Sequence, residues 1–161
     1  MTVEPSYLTA ARRDIGLREI KGPKHAGRIV QMLRRLGAWW RDDETPWCGV
    51  AVAAWLSESG LPIPRHYYRA LAWADYGKGC SRPVQGAIAV LSRNGGGHVG
   101  IVTGVTADGE HVRLLSGNQG DAVNEAWFPA RRVIAYRLPT GMGLVLSATV
   151  APLGAMSNSE A

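Results

Sequence analysis

Residues 47–56 read Trp47-Cys48-Gly49-Val50-Ala51-Val52-Ala53-Ala54-Trp55-Leu56 and carry no charge. A segment apolar nearly all round is what a buried helix looks like, and other elements must cover it. Gly60 and Pro62 end it. Shorter periodic stretches come first: Leu8, Ala11 and Ile15, with Gly16 as the stop, then Ile29, Met32, Leu33 and Leu36, with Gly37 just past the end. A further helix is predicted over Tyr67–Tyr76, ended by Gly77. After residue 80 the texture changes. Ala87–Leu91, His98–Val105, His111–Leu115 and Val133–Leu138 are short, rich in Val and Ile, and separated by glycine turns such as Ala107-Asp108-Gly109, so they read as antiparallel strands. Helices first and strands after is the α+β order.

The 161 residues suit one domain, expected to span 1–139, and the chain shows no internal repeat. With 46% hydrophobic and 19% charged residues it can build a core, which argues against disorder. The net charge of +5 favours anionic partners without choosing among them. No basic run exceeds two residues, so the dense stripe of a nucleic-acid binder is missing and no nucleic-acid partner is expected. The longest uncharged stretch, Leu138–Asn158, is interrupted by Pro139, Pro152 and glycines. It makes a poor membrane span. Residues 140–161 are expected to be a flexible tail, with no stable membrane insertion. The N-terminus lacks a basic region followed by an apolar core, so synthesis in the cytoplasm without a secretory signal is expected. Two cysteines, Cys48 and Cys80, cannot make a disulfide framework, and no Cys/His spacing reads as a metal site.

Three residues could carry chemistry together. Cys48 stands where a loop becomes the apolar helix, where unpaired N–H groups and the positive end of the helix dipole favour a thiolate. His98 opens a strand after Gly95-Gly96-Gly97, and helix starts and strand starts can share one edge of a helix-on-sheet layer. Asn118, in Ser116-Gly117-Asn118-Gln119, could fix the imidazole tautomer if its strand lies beside that of His98. Each has a plainer reading: Cys48 as a small core residue, His98 as a filler at a strand end, Asn118 as a turn former.

The blocks Asp42-Asp43-Glu44-Thr45-Pro46-Trp47-Cys48, Gly86-Ala87-Ile88-Ala89-Val90, Gly97-His98-Val99-Gly100-Ile101-Val102, Gly117-Asn118-Gln119 and Tyr136-Arg137-Leu138-Pro139 resemble, in that order, a phage-associated, endolysin-like branch of the NlpC/P60 and CHAP superfamily. These are papain-like cysteine amidases and peptidases that cut bacterial peptidoglycan. The resemblance implies a papain-like α+β fold, with N-terminal helices and a central nucleophile helix packed on a C-terminal antiparallel sheet. It maps the nucleophile onto Cys48, the general base onto His98 and the third member onto Asn118. Related sequences often carry an acidic residue two places before that Asn. Here the place holds Ser116, which leaves the orienting group open.

The function so implied is a peptidoglycan hydrolase needing no cofactor or metal, acting as a monomer on the cell wall, with access supplied by a factor such as a holin. Trp47, Gln119, His66 and Tyr67 are candidates for contact with substrate, while Trp73 is expected in the core. Cys80 reads as a bystander, and Asp42, Asp43 and Glu44 as a solvated loop. The competing functions are a wall-binding module that has lost turnover, and a virion-associated or secreted cysteine amidase.

Overall fold

The computed structural model describes residues 4–20, 25–40, 46–93 and 96–140, together with Gly154 and Met156. The expected loop of Asp42, Asp43 and Glu44, Gly95, and most of the expected tail lie outside the described residues.

Among the described residues three α-helices precede the sheet. α1 (Ser6–Arg13) buries Tyr7, Leu8, Ala10 and Ala11. Ile15, expected on the same apolar stripe, is 46% exposed, because Asp14 already caps the helix and Gly16 turns the chain at φ +99°. α2 (Gly27–Leu36) buries Ile29, Met32 and Leu33. It ends at Gly37 with φ 72°, where the Gly37 N–H reaches Arg34 O and the Ala38 N–H reaches Leu33 O. That left-handed stop needs a residue without a Cβ. α3 (Cys48–Glu58) is buried at every position from Cys48 to Leu56, as its all-round apolarity requires. It packs against α1, α2 and the sheet.

The segment expected to be a helix over Tyr67–Tyr76 is instead a turn followed by a 3-10 helix, Ala70–Asp75. Arg69 is extended at φ −99° and ψ 119°, which breaks any helix through it. The Tyr67 carbonyl accepts from the Trp73 indole at 2.9 Å, a bond made to a side chain. Trp73 itself is fully buried in the core.

Among the described residues six strands form one antiparallel sheet: β1 (Lys78–Cys80), β2 (Ile88–Arg93), β3 (Gly96–Val105), β4 (His111–Ser116), β5 (Asn124–Pro129) and β6 (Val133–Leu138), in the order β1-β6-β2-β3-β4-β5. The strands expected near 88, 98, 111 and 133 are all present. β1 and β5 have no counterpart in the sequence reading. β1 is three residues long and contains Gly79, and β5 opens with Asn124-Glu125 and ends at Pro129, which are poor strand signals.

Both faces of the sheet are covered. Ile88, Val90, Val99, Ile101 and Leu115 join the helices in one core. Ala89, Leu91, Val102, Leu114, Ala126 and Phe128 form a second core on the other face, to which Val133, Tyr136 and Leu138 of β6 also pack. That face draws on strands from both flanks of the sheet, which the twist of antiparallel strands permits. Of the expected tail, Gly154 and Met156 lie against Trp127, Met156 through an isolated parallel bridge.

Candidate active site

Cys48 is the first residue of α3. Trp47 before it has φ −127° and ψ 15° and makes no side-chain capping bond to the helix start. The first turn thus presents backbone N–H groups and the positive end of the helix dipole at the sulfur. Cys48 is only 4% exposed, but that surface opens on a cleft of about 310 Å³. Pro46 and Cys48 form one wall, residues Tyr68 to Leu71 a second, and Gly96 and Gly97 of β3 a third. Glycine makes this assembly possible at two points. A Cβ on Gly49 would run into the Tyr67 carbonyl, so the helix start meets the 67–68 backbone directly. A Cβ on Gly97 would strike Leu71 and the Leu91 carbonyl.

His98 follows immediately, and its ring is fully buried behind the cleft wall. Strand alternation sends Val99 and Ile101 into the core with α3, while His98 stacks on Phe128 at 5.4 Å and 28° between planes. Its Nε2 lies 2.9 Å from Gln119 Oε1. The orientation of that amide follows from its other end: Gln119 Nε2 donates to Asn124 O at 2.8 Å, to Asn124 Oδ1 at 2.9 Å and to Leu114 O at 3.3 Å. Backbone carbonyls only accept, so the NH₂ group must face them and the oxygen must face the ring. Nε2 therefore carries the proton in neutral His98, and Nδ1 is the basic nitrogen.

The structure thus puts Gln119 on the ring where Asn118 was expected. The register explains the difference. β3 and β4 pair Ile101 with Leu115, and continuing that ladder would set Asn118 across from His98. The ladder stops short of it, and Asn118 takes φ 62°, a left-handed turn conformation that Asn tolerates better than most residues. The turn swings Gln119 back toward the ring, and Asn124 Nδ2 donates to Gln119 O at 2.8 Å to hold it there. Ser116, at the place where relatives carry an acid, spends its hydroxyl on Val99 O at 2.6 Å.

The other candidates divide. Trp47 is 1% exposed; its indole donates to Glu19 Oε2 at 3.0 Å and its ring packs on Gly117, so it supports the turn and offers no surface to a substrate. Tyr67 is buried, with its hydroxyl 3.4 Å from Leu36 O. The cleft residue is its neighbour Tyr68, and exposed His66 reaches the Tyr68 hydroxyl through Nδ1 at 3.1 Å. Tyr68, Arg69 and Leu71 are cleft residues that the sequence reading did not single out, since nothing in their spacing marks them. Cys80 is a free thiol on edge strand β1, donating to Arg82 O at 3.2 Å. Among the described residues no cluster of His, Cys, Asp and Glu could hold a metal ion, and no helix is long and apolar enough to cross a membrane.

The CHAP-domain family model matches residues 38–118, just over half of the chain. The chain belongs to the CHAP family. This places it in the CHAP/NlpC-P60 peptidoglycan hydrolase superfamily, and its α+β architecture with a six-stranded antiparallel sheet is consistent with a papain-like fold. The matched segment of this CHAP domain begins at Ala38, just past α2, runs through Cys48, the cleft and His98, and stops one residue before Gln119. Comparison with the curated proteins and with the solved structures returned no match.

Proposed function

We propose that this CHAP domain hydrolyses an amide bond of peptidoglycan through a cysteine nucleophile, with Cys48, His98 and Gln119 as the acting residues. The observation that carries the reading is the placement of Cys48, at a helix start without a side-chain cap and on a cleft whose far lip runs directly into His98. In the reaction His98 Nδ1 takes the thiol proton, and the sulfur attacks the amide carbonyl carbon. The Cys48 backbone N–H, in the first turn of α3, is the donor assigned to the oxyanion that forms. The imidazolium, held by its Nε2–H bond to Gln119, then gives the proton to the leaving amine. Water adds to the acyl-enzyme with His98 again as base, releasing the carboxylic acid and the thiol. Asn118 supplies the turn that delivers Gln119. A role as a phage endolysin, made in the host cytoplasm and reaching the wall through a holin, is supported by the resemblance of the motif blocks alone.

Cys48→Ala assayed on purified peptidoglycan tests the reading. Release of new amino and carboxyl ends should stop, and mass spectrometry of wild-type digests would identify the bond. Unchanged release by the variant would overturn it. The full burial of the His98 ring favours one second reading, a wall-binding module that keeps the scaffold without turnover. Iodoacetamide separates the two in a Cys80→Ser background. An activated Cys48 alkylates well below the ordinary thiol range near 8.5 and loses that advantage in His98→Ala, whereas an inert one follows the same pH profile in both.

A further inference from the structure

One cleft wall carries a feature that the hydrolytic chemistry does not use. Arg69 is exposed, lines the cleft with Cys48, and has no carboxylate partner among the described residues. This contrasts with Arg12, Arg28 and Arg113, each paired with an acid. Its position is braced. The guanidinium carbon sits 5.8 Å from the centre of the Tyr68 ring, within cation–π range. Tyr68 is in turn held edge-on by Trp40 at 5.7 Å and bonded by His66 at its hydroxyl. A guanidinium so supported loses less conformational freedom on binding than a free arginine side chain. No described residue lining the cleft is acidic, and the start of α3 adds positive potential at Cys48. Among the described lining residues Arg69 is thus the charged group, and its planar fork matches a carboxylate in shape and donor number.

We propose that Arg69 is the specificity residue of this site, receiving a free carboxylate of the stem peptide beside the scissile amide, so that the domain discriminates against stem peptides in which that carboxylate is amidated. The assignment rests on the peptidoglycan-hydrolase reading and adds the charge state of the substrate to it. A carboxamide would present Arg69 with an NH₂ group and no charge, leaving donors of the fork unpaired in the complex.

The test uses soluble muropeptides from one preparation of sacculi, one portion with free carboxylates and one chemically amidated. Wild-type kcat/KM should favour the free carboxylates by about tenfold or more, chiefly through KM. Arg69→Gln should bring the ratio close to unity, and Arg69→Lys should restore part of it, because lysine keeps the charge without the fork. Equal wild-type rates on the two portions, or a preference that survives in Arg69→Gln, would overturn the assignment. Binding of both portions to Cys48→Ala by calorimetry reads the same preference without turnover. Carboxylate-dependent binding lost in Cys48→Ala/Arg69→Gln, with no wild-type hydrolysis, would end the hydrolase reading and keep this one. Hydrolysis of both portions at one rate would do the reverse.

Discussion

His98 holds its proton on Nε2 because the Gln119 amide can turn only its oxygen toward the ring, its NH₂ group being committed to Leu114 O and Asn124. Removing that oxygen frees the ring to rotate and to change tautomer. Gln119→Ala should therefore lower kcat by about a hundredfold and move the alkylation profile of Cys48 toward that of an ordinary thiol. A merely structural loss would leave that profile in place. Asn118→Gly, which suits φ 62°, should cost much less. Equal losses in the two variants would return the orienting role to Asn118. At this scale the sequence pointed to Asn118, and the amide that lies against the ring is that of the next residue. Strand register extrapolates to Asn118, and only the left-handed turn there hands the ring to Gln119.

Among the elements, α3 owes its fixed position to polar ties at its flanks as well as to its apolar surface. Asp14, just past α1, accepts from the Trp55 indole of α3 at 2.8 Å and from Arg28 of α2 at 3.0 Å, and Arg28 also reaches Glu58 at the end of α3 at 2.7 Å. Trp55 is fully buried, so truncating Asp14 strands its N–H away from water. Asp14→Ala should cost about 1–3 kcal/mol in urea unfolding, and Asp14→Asn, which keeps an acceptor, distinctly less. A loss under about 0.5 kcal/mol for the alanine variant, the range of ordinary surface changes, would show that the three helices are held by apolar packing alone. The helices themselves were legible from periodicity and from Gly37 and Gly60. The segment after Tyr67 was not, because its carbonyl is satisfied by Trp73, a partner that no local pattern announces.

Across the whole molecule, phenols join distant parts of the chain. The Tyr7 hydroxyl donates to Gly86 O at 2.5 Å, linking α1 to the approach of β2, and the Tyr76 hydroxyl donates to Pro62 O at 2.6 Å. Burial pushes Tyr76 and Tyr136 up to about 12 and raises Tyr7 as well. A group whose folded value is raised contributes stability that is complete below the unfolded value near 10 and is lost as pH rises through the folded one. The unfolding midpoint should thus fall as pH climbs from 10 toward about 12, less steeply in Tyr76→Phe. A flat profile over that window would show that these phenols ionise in the folded state without cost. By itself the sequence determined the α+β order, the buried helix with Cys48 at its head, four of the six strands and the motif blocks of the family, because each is written in local periodicity or in a contiguous run of residues. Only the tertiary structure decided which amide faces His98, that Trp47 is a support, and that Tyr68 and Arg69 wall the cleft. Those outcomes depend on where a ladder stops and which backbones touch, and such distances are set by packing between residues far apart along the chain.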